Sequence, residues 1–343
     1  SFALLAYASA YLKVYYLAEY TTAMLNNFPL GFYSPATLIK DAQRHGLHFR
    51  HVDVNRSDHF FTIEDGEVRM GLKYVKGLRK EVAEAIVQGR MRNAEFQGRN
   101  PTCREGDGNA EFGMRNAESS DSNHSPFTIH HSPFTSVEDL VRRVPLINKK
   151  EIRALSLAGA LNFERSVHRR EALWRSELAI RPDVFSGQRT ADNEHVSEDA
   201  AAAGFIRPMT EWQAMESDLR SMAVTIGRHP MAFLRERLKK RGVLSAIETH
   251  TLRKKDVVTV AGTVIVRQRP STANSVVFIT MEDETGHSNF IVMPDIFERF
   301  RRVITHNSFL LIKGIAEEGG MIKALYFEPI GGVMAEIGSH DFH

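Results

Sequence analysis

The stretch GLKYVKGLRKEVAEAIVQGR, residues 71–90, has a glycine between two basic, helix-prone segments. Gly77 is able to adopt a left-handed backbone conformation, which ends a helix. The stretch therefore predicts a short helix, a tight turn at Gly77 and a second helix. Apolar residues recur at helical spacing on both sides of the turn, first Leu72 and Val75 and then Val82, Ala83 and Ile86.

The second helix of this pair opens beside a cluster of positive charge. The free N–H groups at a helix N-terminus favour anions, and phosphate is a common ligand there. The hairpin is therefore a candidate for binding the backbone of duplex nucleic acid. The alternative is an ordinary helical hairpin whose basic residues form a solvated surface. The candidate residues are Lys73, Lys76, Gly77, Arg79 and Lys80.

The length and composition of the chain narrow its class. With 343 residues we expect two or three domains. A composition of 43% hydrophobic and 25% charged residues is that of a soluble globular protein, and no apolar run reaches membrane-spanning length. Because Cys103 is the one cysteine, no internal disulfide can form, and we expect a reducing, cytoplasmic location without membrane contact.

The charge is unevenly distributed along the chain. Residues 40–104 and 228–302 are net basic, whereas residues 105–227 between them are net acidic. Segregated positive charge indicates a polyanionic partner. The histidines and the single cysteine lack zinc-site spacing, and we expect neither a metal nor another cofactor in this chain.

The first third of the chain predicts helices and a small hairpin. Residues 1–28 are apolar nearly all round, which predicts a helix buried between other elements. Ser34 and Pro35 begin a further helix that ends before Gly46. Short strands are expected on either side of a turn at residues 65–66.

The middle of the chain changes character. Residues 91–125 are polar and repeat themselves, which predicts a disordered insertion. A second helical hairpin follows, broken at Pro145 and closed at Gly159, and a helix then runs from Arg169 to about Ala179. Residues 181–207 are typical of a linker, and the helical connector after it is interrupted at a proline.

From residue 256 the apolar period changes to two, with five strand candidates and a helix between the third and fourth. This count and order match the oligonucleotide-binding barrel. Such barrels bind single strands by stacking bases on aromatic side chains in a basic groove. The candidate residues are Arg267, Arg269, Phe278, Phe290 and Lys313.

Two features of these candidates follow from the strand pattern. Alternation puts Phe278 and Thr280 on one face, which Phe290 could join. The alternative is that both phenylalanines lie in the core, where apolar strand residues are common. Arg267 and Arg269 are expected in an exposed, proline-containing loop, where packing does not require an arginine.

Several of these segments resemble one protein family. Residues 1–27 followed by PLGFYSPATLIKDAQRHG (29–46) resemble the end of the fingers region in bacterial C-family DNA polymerases, the alpha subunit of DNA polymerase III and its error-prone relatives. The opening stretch resembles their helix-hairpin-helix motif, and residues 134–162 resemble the hairpin that follows. HPMAFLRERLKKRGV (229–243) and the block from VRQRP to DETG resemble the barrel of the error-prone branch. The resemblance covers nearly the whole chain except about 91–125.

The resemblance implies an α+β multidomain protein, with a helical region followed by a five-stranded oligonucleotide-binding (OB-fold) β-barrel. It also implies where the parts begin and end. They are the end of the fingers at 1–66, the helix-hairpin-helix region at 67–90 and 126–180, the insertion at 91–125, the linker at 181–207, a helical connector at 208–250 and the OB-fold at 251–332.

The function implied is that of the C-terminal DNA-binding portion of an error-prone, DNA-directed DNA polymerase active in damage-tolerant replication or repair. The hairpins would hold duplex DNA and the barrel the single-stranded template. The catalytic carboxylates and their Mg²⁺ would lie in the palm of the same polypeptide, upstream of this chain, so the chain alone would be inert. Palm and fingers are therefore expected partners, and no catalytic residue is assigned.

Besides the repetitive insertion after Arg90, which is foreign to the family pattern, two departures qualify the resemblance. Arg79 stands where many such hairpins carry a second glycine, which loosens the backbone approach to phosphate but adds a cation. Residues 182–185, PDVF, are at best a degenerate sliding-clamp peptide, so clamp access would come through an accessory protein. The competing hypotheses are a non-enzymatic DNA-binding scaffold for repair and an anticodon-binding barrel, the latter disfavoured by the hairpins.

Overall fold

The structure, a computed structural model, describes residues 2–29, 34–91, 132–161, 163, 168–179, 206–270, 275–331 and 340–341. Nearly all of the predicted insertion and linker, with the clamp-like peptide, lies outside these residues. The described chain is α+β, as predicted: mainly helices up to about residue 250 and a large sheet after it. None of the described helices is both long and apolar enough to cross a membrane.

Three helices begin the chain: α1 (Phe2–Tyr15), α2 (Leu17–Asn26) and α3 (Pro35–Arg44). The Ser34 hydroxyl accepts the Thr37 N–H at 3.1 Å and begins α3 as predicted. The expectation that residues 1–28 are buried is wrong for α1, since none of its residues, all described, is buried, and Phe2 is 90% exposed. An apolar surface on all sides of a helix indicates that the helix is to be buried, but it does not show which surface buries it.

A small sheet follows these helices. Strand β1 (Phe49–Arg50) pairs in parallel with β3 (Glu67–Arg69), which pairs antiparallel with β2 (Thr62–Glu64). The predicted turn between β2 and β3 has positive φ angles at both Asp65 and Gly66, as a tight two-residue hairpin requires.

Two helical hairpins share one hydrophobic core with α2 and α3. In the first, the predicted leading helix is a single 3-10 turn (Leu72–Tyr74), Gly77 has φ +85°, and α4 spans Lys80–Met91. The second consists of α5 (Val137–Arg143) and α6 (Lys149–Ala158), closed by Gly159 with φ +73°. Helix α7 (Arg169–Ala179) then packs on α6, with the bounds predicted from the sequence.

The connector consists of short helical segments. They are α8 (Glu211–Met222), a 3-10 turn (Pro230–Phe233), α9 (Arg235–Lys239) and α10 (Ala246–Thr249). The break at Pro230 is the one predicted. His229 precedes this proline and its Nδ1 accepts the Met231 N–H at 3.1 Å, which begins the new turn.

The last part contains all five predicted strands. They are β4 (Val257–Gln268), β5 (Val277–Glu282), β6 (His287–Val292), β7 (Phe309–Ala316) and β8 (Met321–Pro329), with α11 (Pro294–His306) between β6 and β7 and a short β9 (His340–Asp341) beside β4.

The pairing of these five strands closes on itself. Strand β4 pairs with both β5 and β7, β5 with β6, β6 in parallel with β8, and β8 with β7. The enclosed core contains Val264, Ile279, Phe290, Ile312 and Phe327. Each strand therefore has an inner, apolar face and an outer face available to the rest of the protein.

Candidate nucleic-acid interface

The tip of the first hairpin carries all five residues proposed for the duplex backbone, and all are exposed. Gly77 makes the turn with φ +85°, and among the described residues a Cβ there would meet no atom within 4 Å. The N–H of Lys76 donates to the Ser221 carbonyl oxygen at 2.8 Å, which fixes the tip to the end of α8. The tip is therefore accessible to a large ligand on its exposed side and is held by α8 on the other.

Arg79 is bound to the second hairpin. Its backbone N–H and Nε donate to Oε1 of Glu151 at 3.1 and 2.9 Å, and its Nη2 donates to Oε2 at 3.1 Å. The same Nη2 donates to the Leu146 carbonyl oxygen at 2.7 Å. The start of α4 thus already has an anion, the Glu151 carboxylate, where the sequence suggested a phosphate.

Glu151 serves both hairpins. Its side chain is 1% exposed and also accepts the N–H of Asn148, closing the capping box that begins α6. Burial acts to raise the pKa of Glu151, but the hydrogen bonds from Arg79 and from the Asn148 N–H outweigh it, and the net effect is to lower that pKa. The carboxylate is therefore a charged brace between the two turns.

The second hairpin adds basic residues that the sequence analysis did not select. Lys149 and Lys150 follow Asn148 at the start of α6, and both are exposed. Leu146, at the tip, is 60% exposed. Because Arg79 contacts the Leu146 carbonyl, these residues lie beside the first hairpin. The two consecutive lysines are visible in the sequence. The Arg79–Glu151 contact that places them beside the first hairpin is not.

The strand register separates the two candidate phenylalanines. Phe278 pairs with Ile291 and Ile279 pairs with Phe290. Directly paired residues share a face, so Phe290 points inward with Ile279 and is fully buried. This corrects the prediction that Phe290 could join Phe278. Phe278 remains half-buried on the outer face, where an aromatic ring has one side available.

The candidate cations of the strands differ in position. Arg267 is 7% exposed and its Nη2 donates to the Asn307 carbonyl oxygen at 2.7 Å, which corrects the expectation of a loop arginine: strand β4 continues to Gln268. Arg269 is exposed, with its guanidinium 5.5 Å from the centre of the Phe297 ring. Lys313 is exposed on β7 and paired with Tyr326, on different strands from Phe278.

A row of outer-face residues crosses neighbouring strands. Gln268 pairs with Phe278, Phe278 with Ile291, and Ile291 with Lys323. The row places an amide, an aromatic ring, an aliphatic side chain and an amine side by side, with Arg269 following Gln268. Of this row only Phe278 was a candidate from the sequence, and the cation Lys323 joins it because β6 pairs in parallel with β8.

Polar side chains of helix α3 join it to the connector and to strand β5. Lys40 is 7% exposed, and its Nζ donates to the Gly227 carbonyl oxygen at 2.5 Å and to Gln43 Oε1 at 2.9 Å. Burial lowers the pKa of Lys40 from 10.5 to about 8. Arg44 Nη2 donates to Glu282 Oε1 at 2.9 Å.

The pKa of Lys40 gives a testable pH dependence. Between about pH 8 and 10.5 the unfolded chain holds a proton on Lys40 that the folded chain has released, so stability rises with pH. We expect Lys40 to contribute up to about 1.4 kcal/mol per pH unit to the free energy of unfolding in this window. Urea denaturation at several pH values measures it, comparing the wild type with Lys40→Met.

The exposed Lys240 provides the matched control. Lys240→Met should keep the pH dependence of the wild type, whereas Lys40→Met should flatten it. Equal pH dependence in all three proteins would show that Lys40 keeps an ordinary pKa in the folded state.

No group of three His, Cys, Asp or Glu side chains with metal-binding geometry occurs among the described residues. Asp283, in the turn after β5, is 1% exposed. Its carboxylate accepts hydrogen bonds from Arg235 Nη2 at 2.8 Å and from the Ala246 N–H at 2.7 Å. This aspartate therefore fastens α9 and α10 to the turn after β5.

Comparison with known proteins agrees with the first hairpin. Residues 46–112 match the family model of the helix-hairpin-helix motif. The chain thus contains a motif of that class, and its first hairpin lies within the match.

The relatives that match the chain are more specific. It is 36% identical over 337 residues to "Error-prone DNA polymerase" of Anaeromyxobacter dehalogenans (strain 2CP-C), covering 94% of this chain and 25% of the relative. It is 32% identical over 350 residues to "Error-prone DNA polymerase 2" of Rhizobium meliloti (strain 1021), covering 99% and 28%. It is 33% identical over 355 residues to "Error-prone DNA polymerase" of Alkalilimnicola ehrlichii, covering 100% and 30%.

The predicted resemblance to error-prone DNA polymerases is thereby confirmed, and the chain spans between a quarter and a third of the length of these relatives. Among solved structures, telomere capping protein Ten1 from Saccharomyces pombe matches 27% of this chain and 84% of its own, with 14% identity and a TM-score of 0.20. A TM-score at that level assigns no fold.

Proposed function

We propose that this chain is the C-terminal DNA-binding portion of an error-prone, DNA-directed DNA polymerase of the bacterial C family, working in damage-tolerant replication or repair synthesis. The similarity to polymerases of that description along 94–100% of the chain supports the assignment. Its role would be to hold DNA for a catalytic centre in another part of the polypeptide.

The observation that carries the proposal is the pair of hairpin tips braced by Arg79 and Glu151. Lys73, Lys76 and Lys80 on the first tip and Lys149 and Lys150 on the second are all exposed, and the Arg79–Glu151 contact brings the two tips together. Lys80 and Lys149 also form ion pairs with Glu84 and Glu177 on the surface. Such a surface would contact the phosphates of duplex DNA without reading its sequence. Arg79 would act mainly as the brace, with the exposed half of its side chain beside the phosphates.

We further propose that the closed five-strand pairing is an OB-fold barrel that binds the single-stranded template. The strand order and the helix between the third and fourth strands support it. Phe278 would stack on a base, with Arg269 and Lys323 near the phosphates of the DNA strand. Lys313 would extend the positive charge to the neighbouring β-strands.

The remaining expectations concern the whole polymerase. Nucleotidyl transfer would be carried out by palm carboxylates with Mg²⁺, in a region of the relatives outside the part matched here. The exposed apolar residues of α1, such as Leu4 and Val14, would pack against the fingers and palm of the same polypeptide. A sliding clamp would be reached through an accessory protein.

Removal of two lysines from the first tip tests the duplex assignment. We expect Lys76→Ala/Lys80→Ala to bind duplex DNA more weakly and to reduce the slope of log affinity against log salt by about 2, because each lost phosphate contact removes about 0.9. Fluorescence anisotropy with a labelled duplex at several salt concentrations measures this slope.

The matched control removes the same charge elsewhere. Lys239 and Lys240 are exposed in the connector, and Lys239→Ala/Lys240→Ala should keep the wild-type slope. If the hairpin variant keeps it too, the first tip does not bind the duplex backbone. If both variants lower it equally, binding follows net charge and not the hairpin.

A further inference from the structure

A cleft of about 590 Å³ lies between helices α1–α3 and the outer face of strands β4–β6. This volume is within the usual range for sites that bind small ligands or single groups of larger ones. The helices contribute Lys13, Tyr20 and Asp41, and the strands contribute Gln268, Thr280 and Asn289. Apolar side chains of both walls complete the lining.

The strand wall of the cleft continues the outer face that carries Phe278. Thr280 is two residues beyond Phe278, so it lies on the same face about 7 Å along the strand. Gln268 pairs directly with Phe278, and Thr280 Oγ1 donates to Asn289 Oδ1 at 2.8 Å. A nucleic-acid strand with one base on Phe278 would therefore present a neighbouring nucleotide to the cleft.

The helix wall is fastened to the strands. Arg44 of α3 donates to Glu282, which is paired in the sheet with His287 at the edge of the cleft. Within the helix wall, Lys13 of α1 is joined to Asp41 of α3 at 2.6 Å. The Arg44–Glu282 ion pair thus joins the two walls, and Tyr20 of α2 is the aromatic side chain on the helix side.

The chemistry of the lining suits a nucleobase. A base has apolar faces that stack on an aromatic ring and an edge that both donates and accepts hydrogen bonds. Tyr20 provides a ring, and the amides of Gln268 and Asn289 each provide a donor and an acceptor. Lys13 and Asp41 neutralise each other, so the cleft has no built site for a free phosphate among its described lining residues.

We propose that this cleft is a two-walled slot for one nucleotide of a single DNA strand, with Tyr20 stacking on the base and Gln268 and Asn289 bonding its edge. The proposal rests on the proposed single-strand role of the outer face and adds a second wall from α1–α3. A strand held between two walls would be kept in one direction as it leaves the surface around Phe278.

Tyr20→Ala tests the second wall. We expect binding of a short, fluorescently labelled oligothymidylate to weaken by about 5- to 100-fold, the usual effect of removing one base-stacking aromatic, while duplex affinity stays unchanged. Tyr20→Phe should restore most of the affinity, because the ring remains. Tyr15, 67% exposed on α1 and not part of the lining, provides the matched control as Tyr15→Ala. Circular dichroism verifies that each variant is folded.

A second readout does not depend on the substitutions. An oligothymidylate carrying 5-iodouracil should crosslink to Tyr20 or His287 on irradiation of the wild-type chain, with the sites mapped by mass spectrometry. Wild-type affinity in Tyr20→Ala together with weaker binding in Phe278→Ala would overturn the slot and leave the outer-face assignment standing. Wild-type affinity in both variants would overturn both, and tighter binding in Tyr20→Ala would show that the helices shield the strands.

Discussion

Gly71→Ala is expected to lower the free energy of unfolding by about 3 kcal/mol or more, since overpacking costs most where the backbone cannot yield. A Cβ at this position would lie 2.4 Å from the Phe60 carbonyl carbon and 2.7 Å from the oxygens of His59 and Phe60. The Leu72 and Lys73 N–H groups donate to the Asp58 and His59 carbonyl oxygens at 2.8 and 2.9 Å. The two segments therefore cannot separate without losing these hydrogen bonds.

Gly77 in the same hairpin provides the comparison. A Cβ there meets no described atom within 4 Å, so the cost of Gly77→Ala comes only from its φ of +85° and should be about 1–2 kcal/mol. Urea denaturation measures both variants, as a shift of the midpoint at constant slope. A cost for Gly77→Ala equal to or above that of Gly71→Ala would contradict this account of the hairpin.

These two glycines also show how far sequence reasoning extends. The turn at Gly77 was predictable, because a positive φ between two helix-prone segments is a local property. The requirement at Gly71 was not, because it arises from contact with Phe60 on another segment. Arg79 is a similar case: its charge suggested a phosphate ligand, while its partner Glu151 lies 72 residues along the chain.

The strands show the same contrast between what local sequence predicts and what depends on distant segments. A period of two in apolar residues predicted all five, since alternation is a local property of a strand with one buried face. The pairing register was not available, and a shift of one residue exchanges the two faces. Phe278 and Phe290 therefore looked equivalent in the sequence, yet one lies on the outer face and the other in the core. Arg267 was misplaced because β4 continues past the predicted loop boundary.

Asp283→Ala is expected to destabilise the chain by about 3–5 kcal/mol, the usual cost of removing one partner of a buried ion pair. Besides Arg235 and Ala246, the carboxylate accepts the N–H groups of Thr285 at 2.7 Å and Gly286 at 3.1 Å, and the Thr285 hydroxyl at 2.7 Å. Alanine would leave the buried Ala246 N–H without this acceptor and Arg235 with Glu284 as its remaining carboxylate.

The exposed pair of Lys254 and Glu318, with the glutamate side chain 81% exposed, provides the matched control. Glu318→Ala should lower the free energy of unfolding by less than about 1 kcal/mol, because an ion pair between solvent-exposed side chains contributes little to stability. Asp283→Asn, which keeps one acceptor oxygen and the shape, should fall between the two. Urea denaturation of the three variants gives the order, and a cost for Asp283→Ala no larger than that of Glu318→Ala would mean that Asp283 does not hold α9 and α10 to the strands.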